Sequence, residues 1–302
     1  MRTSLLAAVL GIAVALGACG DDDDVQPADA APKTLYERLG GRSGVEAIVR
    51  DMIDRMENDD RINGYFLNAT LDRDRLIDCL IRQIGNATGG PQIYPDPDNR
   101  CRSMADAHAG LGVSTQDFAD FAALAREALD TAVASDDDVN EVMAALAAHE
   151  SAVVEDPDDD LTIYQRVGRK PAIGAVVDLF LANVLGDDQI NGFFADADAA
   201  RLRTCLVRFV CSLDGPCEYG REVEHPRDPG VTTFTHCAGM VQAHAGMVDD
   251  VGNPILVADF NVLVGHLITA LDDGGVAEDD KNAILGALGP LCGSIVSDPG
   301  NC

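Results

Sequence analysis

The chain writes one unit twice, and nothing else in its 302 residues restricts its fold as much. TLYERLGGRSGVEAIVRDMIDRMENDDRINGYF, from Thr34, lines up with TIYQRVGRKPAIGAVVDLFLANVLGDDQINGFF, from Thr162, at an offset of 128 residues (162 − 34). RLIDCLIRQI from Arg75 then matches RLRTCLVRFV from Arg201, and MADAHAGLGV from Met104 matches MVQAHAGMVD from Met240. At the histidines inside those last segments the offset has grown to 136 (244 − 108). Length changes confined to the connections between matched segments are what a diverged tandem duplication produces. Two of only six histidines, His108 and His244, hold the same place in the two copies.

Within each copy the apolar residues recur at helical spacing. VEAIVRDMIDRM sets Val45, Ile48, Val49, Met52, Ile53 and Met56 on one face, and RLIDCLIRQI does the same with Leu76, Leu80, Ile81 and Ile84. FADFAALAREAL and DFNVLVGHLITAL predict a third helix, VNEVMAALAAH and KNAILGALGPL a fourth. Between the second and third comes a Gly/Pro-rich loop, then the short histidine segment. The pattern predicts two small all-α domains in tandem, over residues 34–151 and 161–292. Residues 152–160 read as the linker and 293–302 as a C-terminal tail.

The first residues bear on the compartment. Arg2 precedes LLAAVLGIAVALGA, a run too short to span a membrane with ordinary flanks, and then Cys19. Leu16-Gly17-Ala18-Cys19 resembles the lipobox of bacterial lipoproteins; an ordinary secretory signal is the alternative. On the lipoprotein reading residues 1–19 are the signal, Cys19 carries the lipid, and 20–33 are an acidic disordered tether. The expectation is an exported protein, lipid-anchored to a bacterial membrane on its periplasmic or cell-surface side, with no other membrane contact. A formal net charge of −29 argues against a nucleic-acid partner, whose phosphates it would repel.

Taken in order, TLYERLGG, DDRINGYF, the Gly-Gly-Pro loop that ends in Tyr94, and MADAHAGLGV resemble a group I truncated haemoglobin. The second copy is similar through DDQINGFFADAD, MVQAHAG and VGHLITAL, so the resemblance covers nearly all of both repeats. It implies a two-over-two helical sandwich around haem, with His108 and His244 as proximal iron ligands and one haem b per domain, two per chain. An imidazole ligand needs a short rigid helix against the porphyrin and little else in sequence, which these segments supply. The alternative is a core or capping histidine in a haem-free globin fold. Phe66 and Phe194 match the family's aromatic wedge, with Tyr65 and Phe193 before them, and Met104 and Met240 are expected to wall the proximal pocket. Tyr94 and Tyr219 match a tyrosine near the haem edge. His266 reads as a packing or solvent-edge residue; His149, His225 and His236 are assigned no role.

The distal side departs from the family. Relatives that hold oxygen tightly present a tyrosine from the B helix and a glutamine from the E helix; here those places read Ile53 and Leu181, then Leu76, Leu80, Leu202 and Leu206. None can donate a hydrogen bond. Losing a donor costs a polar ligand such as oxygen roughly 1–3 kcal/mol, about tenfold to a hundredfold in affinity. The expected function is reversible binding of a diatomic gas, with CO and NO suited at least as well as oxygen. A nitric oxide dioxygenase is the enzymatic rival, and the absence of acid–base groups counts against it. A haem-free, disulfide-stapled interaction module is the non-catalytic rival. No motif identifies a reductase partner.

Nine cysteines less Cys19 leave eight, an even number suited to disulfides in an oxidising compartment. Cys79 and Cys205 hold matching places, and Cys101 and Cys237 each stand seven residues before their histidine, so Cys79–Cys101 and Cys205–Cys237 are the economical pairs. The rival is that Cys79 and Cys205 are axial thiolates, since some relatives place a distal histidine there. Cys211–Cys217 and Cys292–Cys302 would use the remainder. Cys-x-x-Cys-His is absent, so haem would be held non-covalently. The acidic runs DDDD and EDPDDD lack the alternation of a calcium loop and read as solvated spacers.

Overall fold

Both repeats begin with the same local device. Thr34 accepts a hydrogen bond from the Glu37 N–H while the Glu37 carboxylate accepts from the Thr34 N–H, and Thr162 and Gln165 repeat the box. Such a cap is worth about 1 kcal/mol and fixes where the chain turns into helix. The structure, a computed structural model, describes residues 32–67, 71–98, 100–133, 135–220, 222–224, 232–234 and 237–302. Cys19 with its leader, the acidic segment as far as residue 31, His225 and His236 lie outside the described residues.

The first repeat runs α1 (Leu35–Arg38), α2 (Gly41–Asn58), α3 (Asn63–Phe66), α4 (Arg73–Ala87), α5 (Met104–His108), α6 (Thr115–Ala132), α7 (Asp136–Ala147) and α8 (Glu150–Val153). The second runs α9 (Ile163–Arg166), α10 (Arg169–Leu185), a 3₁₀ turn (Asn191–Phe194) in the place of α3, α11 (Ala199–Cys211), α12 (Met240–His244), α13 (Val257–Asp273), α14 (Glu278–Leu288) and α15 (Cys292–Ile295). The helix α2 packs on α4 and α6, and α6 on α7; α10 packs on α11 and α13 in the same way. The apolar stripe read from the sequence is the buried one: Val45, Ile48, Val49, Met52, Ile53 and Met56 meet Ile77 and Ile81 of α4 and Leu124 and Leu129 of α6. At roughly 1.5–3 kcal/mol for each large side chain buried, this stripe is what orients α2. Ile173, Val177, Phe180, Leu181 and Val184 do the same work in the second repeat.

The all-α expectation holds, with one short addition among the described residues: β1 (Glu222–Glu224) pairs antiparallel with β2 (Thr232–Phe234) between α11 and α12 of the second repeat. Two boundary expectations need correction. The boundary expected at Ser151 falls inside α8, whose Val153 is buried with Val113 and Phe118. The segment expected as a tail holds Ile295 and Val296, buried with Ile255 and Phe260. In both copies, then, a last short helix covers the histidine helix, α8 on α5 and α15 on α12.

The acidic linker is not a solvated spacer either. Asp156 is buried; its carbonyl accepts from the Thr115 N–H (3.2 Å) and its carboxylate from the Leu161 N–H (3.1 Å). Composition suggested solvation because it cannot show that backbone N–H groups are waiting for those oxygens. The four disulfides are Cys79–Cys101 and Cys205–Cys237, the pairs expected from the repeat, and Cys211–Cys217 and Cys292–Cys302, those expected of the remaining cysteines.

Candidate functional site

Each histidine closes a five-residue helix that leaves little freedom to its ring. Ser103 caps α5 by accepting from the Asp106 N–H, and His108 ends the helix with Nδ1 2.8 Å from the Met104 carbonyl oxygen. His244 ends α12 with Nδ1 2.8 Å from the Met240 carbonyl oxygen. A carbonyl can only accept, so Nδ1 must carry the proton, and in the neutral imidazole the lone pair is then on Nε2. A ring fixed in that tautomer by a backbone acceptor is the form in which histidine binds a metal. Neither Nε2 has a hydrogen-bond partner among the described residues. Beyond each ring the chain turns away through a glycine at positive φ, Gly110 (80°) and Gly246 (70°).

The loop after His108 is held from outside its own segment. The Glu155 carboxylate accepts from the Gly110 N–H (2.6 Å) and the Gly112 N–H (2.7 Å), and these bonds hold its pKa below the ordinary glutamate value. The acidic linker therefore tethers the first histidine loop.

Both histidines stand on the walls of cavities. The first, about 400 Å³, is lined by His108, Met104, Phe66, Leu76 and Leu80; the second, about 440 Å³, by His244, Met240, Phe194, Leu202 and Leu206. These volumes lie in the range that binds small organic molecules and cofactors. Tyr94 and Tyr219 also line their cavities, and burial raises the pKa of both phenols. His266 lies elsewhere, its Nε2 2.8 Å from an Asp187 carboxylate oxygen.

Two distal assignments shift by one residue. Ile53 and Leu181 are buried in the helical core and do not line the cavities; Met52 and Phe180 do. One residue is about 100° around a helix, enough to exchange a core face for a cavity face. The replacements are as apolar as the residues they displace. Cys79 and Cys205 line the cavities too, but their sulfurs are engaged in disulfides, which removes the thiolate-ligand rival.

Polar groups that the sequence reading passed over stand on the first wall. Gln83 of α4 is buried at the first cavity, and its amide makes no hydrogen bond with a described residue. The matching place in α11, counted from Leu76 and Leu202 (83 − 76 = 209 − 202), is Phe209, which meets Tyr219 edge-on with ring centroids 5.0 Å apart. The signal lay in RLIDCLIRQI itself, three residues beyond Leu80. His149 lines the first cavity as well, as do Tyr65 and Asp117. The Tyr65 hydroxyl donates to Asp117 Oδ2 at 3.0 Å; burial, then the Asp117 charge, raises its pKa far above the ordinary range.

Arginines mark the rims: Arg75, Arg100 and Arg102 at the first cavity, Arg201 at the second. One imidazole lone pair, aliphatic and aromatic walls and basic groups at the edge form a donor set that fits haem, a flat apolar macrocycle with acidic substituents at one side.

The Bacterial-like globin family model matches the chain twice, over residues 34–155 and 162–297. The group 1 truncated hemoglobin GlbN of Mycolicibacterium paratuberculosis is 34% identical over 137 residues, 45% of this chain and 85% of that protein. GlbN from a Nostoc species is 28% identical over 137 residues, 45% of this chain and 98% of that protein. Among solved structures, the 2/2 hemoglobin from a Synechococcus species is similar at 26% identity and a TM-score of 0.37, over 40% of this chain and 98% of that one.

Proposed function

Because the chain belongs to the bacterial-like globin family, as a tandem duplicate of a truncated-haemoglobin unit, we propose that each repeat binds one haem b and that the protein reversibly binds a diatomic gas. Haem binding is the family's property; two haems per chain, on His108 and His244, is the finer reading. The observation that carries it is the pair of Nε2 lone pairs, each in a tautomer fixed by a backbone carbonyl at the wall of its own cavity.

Haem iron supplies an open coordination position for the gas. The chain's own residues do the rest. Met104 and Met240 line the cavities with the histidines, Phe66 and Phe194 line their corners, and the arginines at the rims would hold the carboxylate substituents of haem. Leu76, Leu80 and Met52 exclude water from the first cavity; Leu202, Leu206 and Phe180 do so in the second. A wall without donors suits CO and NO. Gln83 gives the first cavity an N–H donor that the second lacks at that place, which favours oxygen there.

The leader and Cys19 support export and lipid anchoring to a bacterial membrane, and four disulfides suit an oxidising compartment. Replacing Cys19 by alanine should release the protein from membranes into the soluble fraction. Absorption spectra of the purified protein, oxidised, reduced and reduced with CO, together with haem content, test the central reading. A Soret band with two haems per chain and a CO shift is expected; a colourless protein that refuses haemin would reject it.

A further inference from the structure

We propose that Arg169, in the second repeat, is a positioning residue for the cavity of the first. It fixes Asp117, and through it the Tyr65 hydroxyl, on the wall of the site at which the preceding section places haem. The inference rests on that reading only for its consequence, not for the contact itself.

The backbone gives the first indication. Position 41 of the first repeat and position 169 of the second correspond (169 − 41 = 128), and both have φ of 62°. In the first copy the residue is glycine, which adopts this conformation freely. In the second it is arginine, for which a left-handed backbone is unfavourable and persists only where the surroundings impose it. A side chain held there against its backbone preference has contacts worth finding.

Those contacts cross from one repeat to the other. The Arg169 guanidinium donates from Nε to Asp117 Oδ1 (2.9 Å) and from Nη2 to Ser114 Oγ (2.9 Å), and also pairs with Asp159 of the linker. The Asp117 side chain is only 2% exposed. Its second oxygen, Oδ2, accepts from the Tyr65 hydroxyl (3.0 Å), the Ser114 N–H (3.1 Å) and the Ser114 hydroxyl (2.9 Å). Arg169 therefore supplies the charged hydrogen-bond partner that holds the buried carboxylate in place. Without it Asp117 is free to turn toward water, and the Tyr65 hydroxyl loses its fixed acceptor.

Lys170 makes a second attachment beside the first. Its ammonium, buried among the same elements, meets the Asn63 side-chain oxygen and stands 3.5 Å from Asp60. Asn63 opens α3, the turn that carries Tyr65 and Phe66 to the cavity. The start of α10 thus grips both elements that form this corner, α3 and the beginning of α6.

The arrangement is one-sided. In the second repeat Phe193 stands where Tyr65 stands in the first and has no hydroxyl. The residue matching Asp117 is Asp259, which accepts from the Leu256 N–H (2.9 Å) and the Gln189 side-chain amide (3.2 Å), both within the second repeat. The wall of the first cavity is braced from the neighbouring repeat, and the matching wall of the second from within its own.

The test uses the full chain with Arg169→Gly, which restores the residue of the first repeat and relieves the backbone. In haem-free protein labelled with 3-fluorotyrosine, the ¹⁹F resonance lost in Tyr65→Phe identifies Tyr65; Arg169→Gly should shift it. With haem confined to one site by His244→Ala or His108→Ala, loss to an apomyoglobin acceptor should be roughly tenfold faster from the first site, the size expected for removing a buried charged partner, and unchanged from the second. Tyr65→Phe should have a similar effect at the first site, and the double variant should be no faster than either. Asp117→Asn, which keeps the shape and removes the charge, should reproduce the Arg169→Gly shift. An unmoved Tyr65 resonance, equal acceleration at both sites, or additive effects in the double variant would overturn the proposal. Were neither site to accept haem, the functional reading would fail while the fluorine spectra still decided the contact.

Discussion

Two cavities of nearly equal volume, about 400 and 440 Å³, differ most in the groups that face them. The first presents Gln83, Tyr65 and His149; where Gln83 and Tyr65 stand, the second presents Phe209 and Phe193, while Asp117 has its counterpart in Asp259. What the two copies share is set by chemistry close in sequence: a capped start, a five-residue helix, and a ring bonded to the carbonyl four residues before it. What differs is set by single side chains that project into shared space. Duplication thus yields two copies of one histidine-bearing device at pockets that differ in polarity, and the more polar one leans on its neighbour.

Four experiments would break or sharpen this contrast. The largest effect is expected from the histidines: His108→Ala and His244→Ala should each lower haem content from two per chain to one, read by the pyridine haemochrome assay. If either leaves the content unchanged, that repeat does not use its histidine, and the two copies are less alike than their helices.

Next are the disulfides. Serine pairs at Cys79 and Cys101, or at Cys205 and Cys237, open loops of 22 and 32 residues. Each should cost about 3 kcal/mol in denaturant titrations, the longer loop a few tenths more. A large difference would mean that one bridge does more than restrict the unfolded chain.

A smaller effect should come from exchanging the cavity polarity. Gln83→Leu should weaken oxygen binding at the first site by about tenfold while CO binding changes little, and Phe209→Gln should move the second site the other way, as hydrogen-bond energetics require. Oxygen and CO affinities measured with one site loaded at a time would show it. Equal changes for both gases would assign Gln83 to packing.

The smallest concerns acid. Because the Gly110 and Gly112 N–H groups lower the Glu155 pKa, its contribution to stability is complete above the ordinary value of 4.5 and is lost as pH falls through the lower folded value. Glu155→Gln should loosen the first histidine loop at neutral pH, converge with the unaltered protein in strong acid, and leave the second site untouched. Haem release followed against pH, one site at a time, would detect it.

Much of this was legible in the residues. The six apolar positions of α2, the pairing of the four cysteines that recur in both copies and the two histidines could be read from spacing, because helical period and repeat register are properties of the chain alone. The distal wall was legible only to within one residue: an apolar stripe shows a buried face but not what buries it, so Ile53 was assigned to the space that Met52 lines. Gln83 was visible as a letter but not as a cavity residue, since its place depends on how α4 lies against the histidine helix.

The sequence by itself determined the helices, the duplication and which two histidines share one place in the repeats. Only the tertiary structure decided that EDPDDD folds into a clasp, that Arg169 reaches back to Asp117, and that Gln83 and Tyr65 face one cavity where Phe209 and Phe193 face the other. The physical reason is range. Periodicity and capping act over three or four residues, whereas a buried ion pair joins residues 52 positions apart, and only folding brings its charges together out of water.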